Sequence, residues 1–379
     1  MKRSLKIGLL CKKFVFDYGG MERYSVSLAR ELLRRGHEVH VFANSWQNES
    51  GIIFHLVPMI HLSLPLKNLS FAFFAKKFLI RAKFDIIHSM ERTLYQDIYR
   101  ASDGIVPIHL EQRYPNPAVR RLKAASPRRL ALLYLEKRIF SDSGSRIIMT
   151  NSRLVKDHII GYYHVHADRI RVIYNGIDTD RFCPGVREAH RENIRKAHNI
   201  EEDEILLLFV SNDHRRKGLQ NLLESIDQLQ DRKIRLMVIG QGAGAYGQWI
   251  AKNIPGDRIL FIGHKKDMER YYGAADILVL PTSYDAFANV CLEAMACGLP
   301  VITTMNNGAS ELIEDGENGF VLKGASPGEI KIRIEALESR EQRLQMGKKA
   351  ADKAKRFTVE DNCSKVIGLY EELQNRRRL

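Results

Sequence analysis

The sequence is poor in cysteine and lacks any paired arrangement of it. Its 379 residues contain five cysteines, an odd number with no Cys-x-x-Cys pair among them. A disulfide framework and a structural zinc site both use such pairs, so we expect neither. Scattered single cysteines are typical of proteins in a reducing compartment, and the sequence therefore indicates a cytoplasmic protein.

Long hydrophobic runs are also missing. No uninterrupted apolar stretch approaches the roughly 20 residues that a membrane-spanning helix requires. The basic first residues, 1–7, lead straight into a short strand-like segment and lack the apolar core of a signal peptide. We therefore expect no segment that crosses a membrane.

Acidic residues are outnumbered by basic ones. The chain has 59 lysine and arginine residues against 45 aspartate and glutamate residues, which gives a net charge of +14. This excess favours an anionic partner, which could be nucleic acid, an anionic membrane surface or a phosphorylated substrate. The length exceeds that of one ordinary hydrophobic core, so we expect two domains.

The chain opens with the pattern of a strand–helix–strand unit. Residues 5–11 and 39–43 predict buried strands, and residues 21–35 have the apolar spacing of a helix. Gly19 and Gly20 stand just before this helix, where a backbone without side chains can approach a ligand closely. The pair does not form the dinucleotide fingerprint G-x-G-x-x-G, and a plain tight turn explains it equally well.

Strands and helices alternate through both halves of the chain. This alternation predicts an α/β fold with two doubly wound, parallel-sheet domains. The Asn175-Gly176 turn marks the junction between them. We expect a first domain at residues 1–175 and a second at 176–379, with a final helix, about 358–379, that packs back on the first domain.

Residues 111–140 hold an unusual excess of positive charge. Eight basic residues stand there against two acidic ones, with leucines and aromatic residues between them. Docking on an anionic membrane fits this mixture best, nucleic acid comes second, and a solvated helix face is the ordinary explanation. Three prolines interrupt the segment, so we expect part of it to be mobile. The basic residues assigned to a membrane or acceptor surface are Arg113, Arg120, Arg121, Lys123, Arg128 and Arg129.

A polar loop at residues 212–218 follows the first predicted strand of the second half. It contains three consecutive cations, Arg215, Arg216 and Lys217, and it ends in a glycine before the next predicted helix. Cations at the carboxyl end of a strand, beside a helix N-terminus, suit a diphosphate. A solvated loop is the alternative interpretation.

Residues 281–302 contain the most informative pattern of the chain. A strand at 277–280 runs into a polar loop, a helix follows at about 289–297, and Pro300 opens the next strand. Such a unit places a helix N-terminus at the carboxyl edge of a parallel sheet, where free N–H groups bind phosphate. Two acids, Asp285 in the loop and Glu293 in the helix, flank the start of this helix.

Five stretches make the chain resemble the family 4 retaining glycosyltransferases. They are Gly19 to Glu22, Val172 to Asp178, Arg216 to Gly218, Ala274 to Ile277 and Asp285 to Pro300. They cover most of the chain in the expected order, and the last is the most specific. The resemblance implies the GT-B fold, in which two Rossmann-like domains face each other across an interdomain cleft. The first half, with its stretch 95–103, is most similar to the lipopolysaccharide core glucosyltransferase I group.

The resemblance also implies a role for each matching residue. Lys217 and Arg216 would hold the diphosphate of a nucleotide-sugar donor. Glu293 would bind the ribose hydroxyls, and Asp285 the transferred sugar. Asp103 would face the acceptor or the reaction centre, so Asp103, Asp285 and Lys217 form the expected catalytic set. The residues expected to line the donor are Gly19, Gly20, Arg216, Lys217, Gly263, Lys265, Asp285, Ala286, Phe287, Ala288, Asn289, Val290 and Glu293.

Two positions depart from the family pattern. Most relatives have glutamate where this chain has Asp285, which is one methylene shorter, and this difference bears on sugar contact and donor choice. Many relatives also have an arginine several residues before the Arg-Lys pair, where this chain has Ser211-Asn212. Arg215 or Arg216 is the candidate replacement.

The expected reaction is the transfer of a hexose with retention of configuration. The family suggests glucose from UDP-glucose as donor and a phosphorylated lipid-linked glycan, such as the lipopolysaccharide core, as acceptor, at the inner face of the cytoplasmic membrane. No carboxylate pair is placed for a divalent metal, so we expect protein cations to stabilise the leaving phosphate without a cofactor. Two alternatives stay open. One is a nucleotide-sugar epimerase on the same fold, and the other is a basic nucleic-acid-binding protein, although no nucleic-acid recognition motif appears and no such partner is expected.

Overall fold

The chain folds into two compact units. The computed structural model describes residues 4–16, 20–229, 233–241, 246, 253–254 and 258–376. The first unit comprises Met1–Asn175 together with Val359–Leu379, and the second comprises Gly176–Thr358. The closing segment of the chain therefore returns to the unit in which the chain begins.

The first unit is built on a seven-stranded parallel sheet. Its strands have the order β5-β3-β1-β6-β7-β8-β9, and the short strands β2 and β4 pair separately. In chain order they are β1 (Lys6–Leu10), β2 (Lys13–Phe14), β3 (Glu38–Ala43), β4 (Ser45–Trp46), β5 (Ile52–Leu56), β6 (Ile86–Ser89), β7 (Ile98–Ala101), β8 (Ile147–Thr150) and β9 (Ile170–Val172).

Helices cover this sheet. Those before the junction are α1 (Gly20–Arg34), α2 (Leu64–Leu79), α3 (Val106–Arg113), α4 (Pro117–Ala124), α5 (Pro127–Phe140) and α6 (Arg153–Tyr163), with a 3-10 turn at Ala167–Arg169. The apolar face of α1 contributes Leu28 and Leu32 to the main core, and the last helix of the chain contributes Val366 and Tyr370 to the same cluster. This burial stabilises the return of the closing segment to the first unit.

The second unit is built on a six-stranded parallel sheet. Its strands have the order β12-β11-β10-β13-β14-β15. They are β10 (Ile205–Val210), β11 (Ile234–Ile239), β12 (Ile259–Gly263), β13 (Ile277–Leu280), β14 (Val301–Thr304) and β15 (Gly319–Leu322). The central strands consist almost entirely of apolar residues, because helices bury both faces of a parallel sheet.

The remaining helices follow the same alternation. They are α7 (Val186–Ala197), α8 (Leu219–Gln228), α9 (Met268–Ala274), α10 (Asn289–Ala296), α11 (Pro327–Glu335), α12 (Arg340–Ala354) and α13 (Val359–Arg376), with a 3-10 turn at Gly308–Leu312. The first six belong to the second unit and α13 to the first. The predicted α/β fold with two doubly wound parallel sheets is confirmed.

The strand order of the second sheet reverses direction between the neighbouring strands β10 and β13. From β10 the chain proceeds outwards to β11 and β12, then returns to place β13 on the other side of β10. The loops after β10 and β13 leave the same sheet edge in opposite directions, and ligands of doubly wound folds bind in the crevice that results. These are the loops that contain Lys217 and Asp285.

The structure also refines two expectations in detail. The prolines of the basic segment do not turn it into a loop, because Pro117 and Pro127 occupy the first turns of α4 and α5, where proline fits a helix. Helix α7 directly after the junction was not anticipated, because its mixture of charges and few apolar residues has a weak helical pattern.

Candidate functional site

Two cations and one carboxylate meet at the carboxyl edge of the second sheet. Arg216 Nη1 lies 3.0 Å from Asp285 Oδ2, and Lys217 Nζ contacts the same oxygen. Arg216 also donates to the carbonyl of Tyr284 at 2.8 Å. The side chain of Asp285 is 15% exposed and that of Lys217 10%, so the pair is shielded from most of the solvent. Three residues predicted from the sequence to act on the donor are thus brought together.

The charges of this cluster determine one another. Burial by itself would raise the pKa of Asp285, but Lys217 and then Arg216 hold that pKa below its ordinary value. Burial would likewise lower the pKa of Arg216, but Asp285 raises it above its usual value. The carboxylate is therefore ionised, and Arg216 keeps its charge at neutral pH.

The two loops are fixed to each other by a close approach of their backbones. Gly218 has φ +80°, and a Cβ at this position would lie 2.1 Å from the carbonyl oxygen of Pro281. Ser283 N donates to the carbonyl of Arg216 at 2.8 Å, and Thr282 Oγ1 donates to the same oxygen at 3.1 Å. Only glycine fits this approach, which places Lys217 beside the 281–285 loop.

A buried asparagine holds the segment that precedes α10. Asn307 Oδ1 accepts from Ala288 N at 3.0 Å and from Ala309 N at 3.1 Å, while its Nδ2 donates to Thr303 Oγ1 at 3.0 Å. Asp285 itself accepts from Phe287 N at 3.0 Å. The predicted donor-lining backbone, residues 286–290, thus has a defined conformation. Sequence reasoning missed Asn307, because a lone asparagine after a strand is indistinguishable from a turn former.

The helix start is the second anion-binding element of this edge. Helix α10 begins at Asn289, and its N-cap residue is Ala288, whose side chain makes no capping hydrogen bond. Its N–H groups and its dipole therefore favour negative charge beside the Arg216–Lys217 pair. Glu293 lies one turn further along the helix and is half-buried, and its Oε2 accepts from the hydroxyl of Tyr272 at 2.8 Å. Tyr272 is a second residue that the sequence did not single out.

Gly263 and Lys265 lie at the end of β12, at the same edge of the sheet. Gly263 has φ +72° and accepts from Gly240 N at 3.0 Å. The Lys265 ammonium lies 5.9 Å from the centre of the Tyr271 ring. Their predicted contact with the base is not tested by these contacts and stays a prediction.

The other predicted residues belong to the first unit. Gly20 is the exposed first residue of α1, whereas Gly19 lies outside the described residues. Asp103 stands in the turn after β7, also at a carboxyl edge. Its carbonyl accepts from His109 Nε2 at 2.6 Å, and the neighbouring Gly104 carbonyl accepts from Arg92 at 3.2 Å. The turn is thus anchored on both sides.

The predicted basic surface residues occupy three consecutive short helices. Arg113 ends α3, three more lie on α4, and Arg128 and Arg129 lie in the first turn of α5. Large apolar side chains are exposed between them, including Leu122 (73% exposed) and Leu130 (53%). Of the helices that the structure describes, none has both the length and the hydropathy to cross a bilayer.

The metal-free expectation stays a prediction. In the described part of the chain, no group of three or more histidine, cysteine, aspartate or glutamate side chains is arranged to bind a metal ion. The cations at the candidate phosphate position belong to Arg216 and Lys217.

Comparisons with known proteins match both halves of the chain. Residues 18–181 match the family described as Glycosyltransferase Family 4, and residues 190–353 match the one described as Glycosyl transferases group 1. A D-inositol 3-phosphate glycosyltransferase of Corynebacterium kroppenstedtii is 25% identical over 394 residues, which cover 94% of this chain and 86% of that protein.

Solved structures share the fold over nearly the whole chain. WaaG, a glycosyltransferase involved in lipopolysaccharide biosynthesis, superposes with a TM-score of 0.82 at 23% identity, covering 96% of this chain and 99% of its own. Anabaena Alr3699/HepE in complex with UDP-glucose gives a TM-score of 0.72 at 19% identity, covering 97% and 100%. The two family matches together span most of the sequence, and the chain therefore belongs to the group 1 and family 4 glycosyltransferases and is a transferase with the GT-B fold.

Proposed function

We propose that the protein transfers a hexose, with retention of configuration, from a nucleotide diphosphate donor to a phosphorylated glycan acceptor. The observation that carries this proposal is the meeting of Arg216 and Lys217 with Asp285 at the sheet edge where α10 begins. UDP-glucose is the preferred donor, in line with the similar fold of Alr3699/HepE, which was solved with that compound.

The chemistry follows from where negative charge develops. Breaking the bond between sugar and diphosphate leaves a new negative charge on the departing phosphate. The phosphate is bound by Lys217, Arg216 and the N–H groups of α10, and this binding becomes stronger as its negative charge grows. Because the transition state is therefore bound more strongly than the substrate, the activation barrier of the transfer falls. No metal ion is required in this scheme, because the protein supplies the positive charge.

The remaining donor contacts are assigned by position. Glu293 binds the ribose hydroxyls, Asp285 contacts the transferred sugar, and the backbone of 286–290 meets the phosphate and sugar. Gly263 and Lys265 frame the base. Gly19 and Gly20 are assigned to the donor, and Asp103 serves the acceptor or the reaction centre.

The acceptor proposal rests on charge. Helices α3 to α5 combine exposed cations with exposed leucines, a mixture that suits an anionic membrane surface. We propose a phosphorylated, lipid-linked glycan such as the lipopolysaccharide core, at the inner face of the cytoplasmic membrane. A soluble sugar-like phosphate is the second candidate, since similar sequences include D-inositol 3-phosphate glycosyltransferases.

The donor proposal is tested by screening nucleotide sugars for release of nucleoside diphosphate. We expect UDP-glucose to react in the presence of a phosphorylated acceptor, and Lys217→Ala to reduce kcat by roughly a hundredfold or more. The matched control is Lys233→Ala, whose ammonium pairs with Asp203 on the surface of the same unit.

Three outcomes would contradict the proposal. They are full activity in Lys217→Ala, no thermal shift with any nucleoside diphosphate, and conversion of the donor sugar without any acceptor. The last would favour an epimerase. Glycolipid and inositol phosphate acceptors, compared side by side, distinguish the two acceptor candidates.

A further inference from the structure

A buried tyrosine is joined to the acid that the proposed function places on the ribose. Tyr272, on α9, has no exposed surface, and its hydroxyl lies 2.8 Å from Glu293 Oε2 on α10. The ring of Phe182 packs edge-on against the Tyr272 ring with 5.9 Å between the centroids. The tyrosine is therefore fixed by packing, and its hydroxyl is directed at one oxygen of the carboxylate.

The contact has a definite donor and a definite acceptor. Burial, with Glu293 as the second cause, raises the pKa of Tyr272 well above its usual value, so the phenol stays protonated and donates. A hydrogen bond to an ionised carboxylate is shorter and stronger than one between neutral groups. A glutamate side chain has several rotatable bonds, and such a bond restricts its orientation.

We propose that Tyr272 is a positioning residue for the donor nucleotide. By holding Oε2 of Glu293, it orients the carboxylate towards the 2′ and 3′ hydroxyls of the donor ribose and sets the preference for ribonucleotides over deoxyribonucleotides. This inference rests on the proposed function, since it assumes that Glu293 binds the ribose. Tyr272 itself touches neither the sugar nor the phosphate.

The test is the substitution Tyr272→Phe, which removes the hydroxyl and keeps the ring. Titration calorimetry on the full-length protein measures the Kd of UDP and of 2′-deoxy-UDP. We expect the Kd of UDP to rise by about three- to tenfold, the range of one lost hydrogen bond, and that of 2′-deoxy-UDP to change much less. With the sugar nucleotide as substrate, KM should rise while kcat stays near its original value, because uniform binding is lost.

A control separates this role from a merely structural one. Tyr370→Phe removes an equally buried hydroxyl, which lies 2.8 Å from His88 Nδ1 in the first unit. It carries the structural cost of a lost buried hydrogen bond, but should leave the ratio of the two Kd values unchanged. If Tyr272→Phe does not fold, Tyr272→Met takes its place, since methionine fills a buried volume without a hydroxyl.

Glu293→Ala separates failure of the inference from failure of the proposed function. If Glu293→Ala weakens UDP and Tyr272→Phe leaves both Kd values unchanged, the positioning role is wrong and the ribose role stands. If Glu293→Ala itself leaves UDP affinity unchanged, both are wrong. In the Glu293→Ala background, Tyr272→Phe should have no further effect on UDP binding, and a further loss would overturn the inference.

Discussion

Asp285 forms ion pairs with the two cations that the proposed mechanism assigns to the donor diphosphate. Its Oδ2 is bonded by both Arg216 and Lys217, and the surrounding protein shields it from water. The carboxylate is thus an internal counter-ion of both cations. A bound diphosphate competes with it for the same positive charges.

This competition predicts opposite effects on binding and on transfer. Asp285→Asn keeps the shape and removes the charge, so we expect UDP to bind several-fold more tightly, because two cations lose their internal partner. Sugar transfer should nevertheless fall, since the contact to the transferred sugar is weakened. Calorimetry with UDP and a transferase assay measure the two effects.

A nearby aspartate provides the comparison for Asp285→Asn. Asp213 lies 3.0 Å from Arg216 Nε, but its side chain is 54% exposed. Asp213→Asn should change UDP affinity less, because water screens an exposed pair. Weaker or unchanged UDP binding in Asp285→Asn would show that the carboxylate does not compete with the diphosphate.

At the scale of single residues, the charged groups of the site could be predicted from the sequence, but the buried residues that hold them in place could not. Arg216, Lys217 and Asp285 stand out because they follow predicted strands at the carboxyl edge of the sheet and match the pattern of the family. Tyr272 and Asn307 act through buried hydrogen bonds, and a buried tyrosine or a loop asparagine occurs in most cores and turns. Only the three-dimensional contacts distinguish them.

At the scale of elements, the turn containing Asp103 depends on a charge buried beneath it. Glu136 of α5 has no exposed surface and lies 2.9 Å from Arg92 Nε. Its carboxylate also accepts from Tyr163 at 2.7 Å and from Val106 N, at the start of α3, at 3.1 Å. One side chain therefore joins α3, α5 and α6 behind the turn.

Removing this carboxylate should destabilise the first unit. For Glu136→Ala we expect the free energy of unfolding to fall by roughly 3–5 kcal/mol, because Arg92 and the first N–H of α3 lose a buried partner. Urea unfolding followed by circular dichroism measures the change. Glu111→Ala, which loses an exposed contact to Arg120 at 3.6 Å, should cost less than about 1 kcal/mol. Equal costs for the two substitutions would contradict the supporting role of Glu136.

The order of the strands and helices was largely predictable from the sequence, but their ends and the presence of helix α7 were not. Runs such as Ile205–Val210 consist of apolar residues that suit only a strand covered on both faces. Helix α7 was missed because eight of its 12 residues are polar or charged, so tertiary contacts rather than apolar spacing define it. The prolines of the basic segment were expected to interrupt it, and Pro115 does lie between α3 and α4, but Pro117 and Pro127 begin the helices α4 and α5.

At the scale of the whole molecule, the net charge of +14 raises the question of which surface binds an anionic partner. Family membership favours a phosphorylated substrate over nucleic acid. The cations of α4 and α5 lie beside exposed leucines, and α2 combines the exposed Lys77 with exposed Phe73 and Phe78. Electrostatic attraction combined with apolar insertion is expected at α4 and α5, which together carry more cations than α2.

The membrane proposal predicts salt-sensitive flotation with anionic vesicles. Charge reversal of Arg120, Arg121, Arg128 and Arg129 to glutamate should abolish most of it, because each basic residue near such a surface contributes about 1 kcal/mol. The matched control reverses four exposed cations of the second unit, Lys233, Lys348, Lys355 and Arg356. Both variants have the same net charge, so a difference between them reports position and not total charge. Vesicles of phosphatidylglycerol and phosphatidylcholine, centrifuged at low and at high salt, provide the measurement. Equal flotation of the two variants would leave α4 and α5 as ordinary solvated helices.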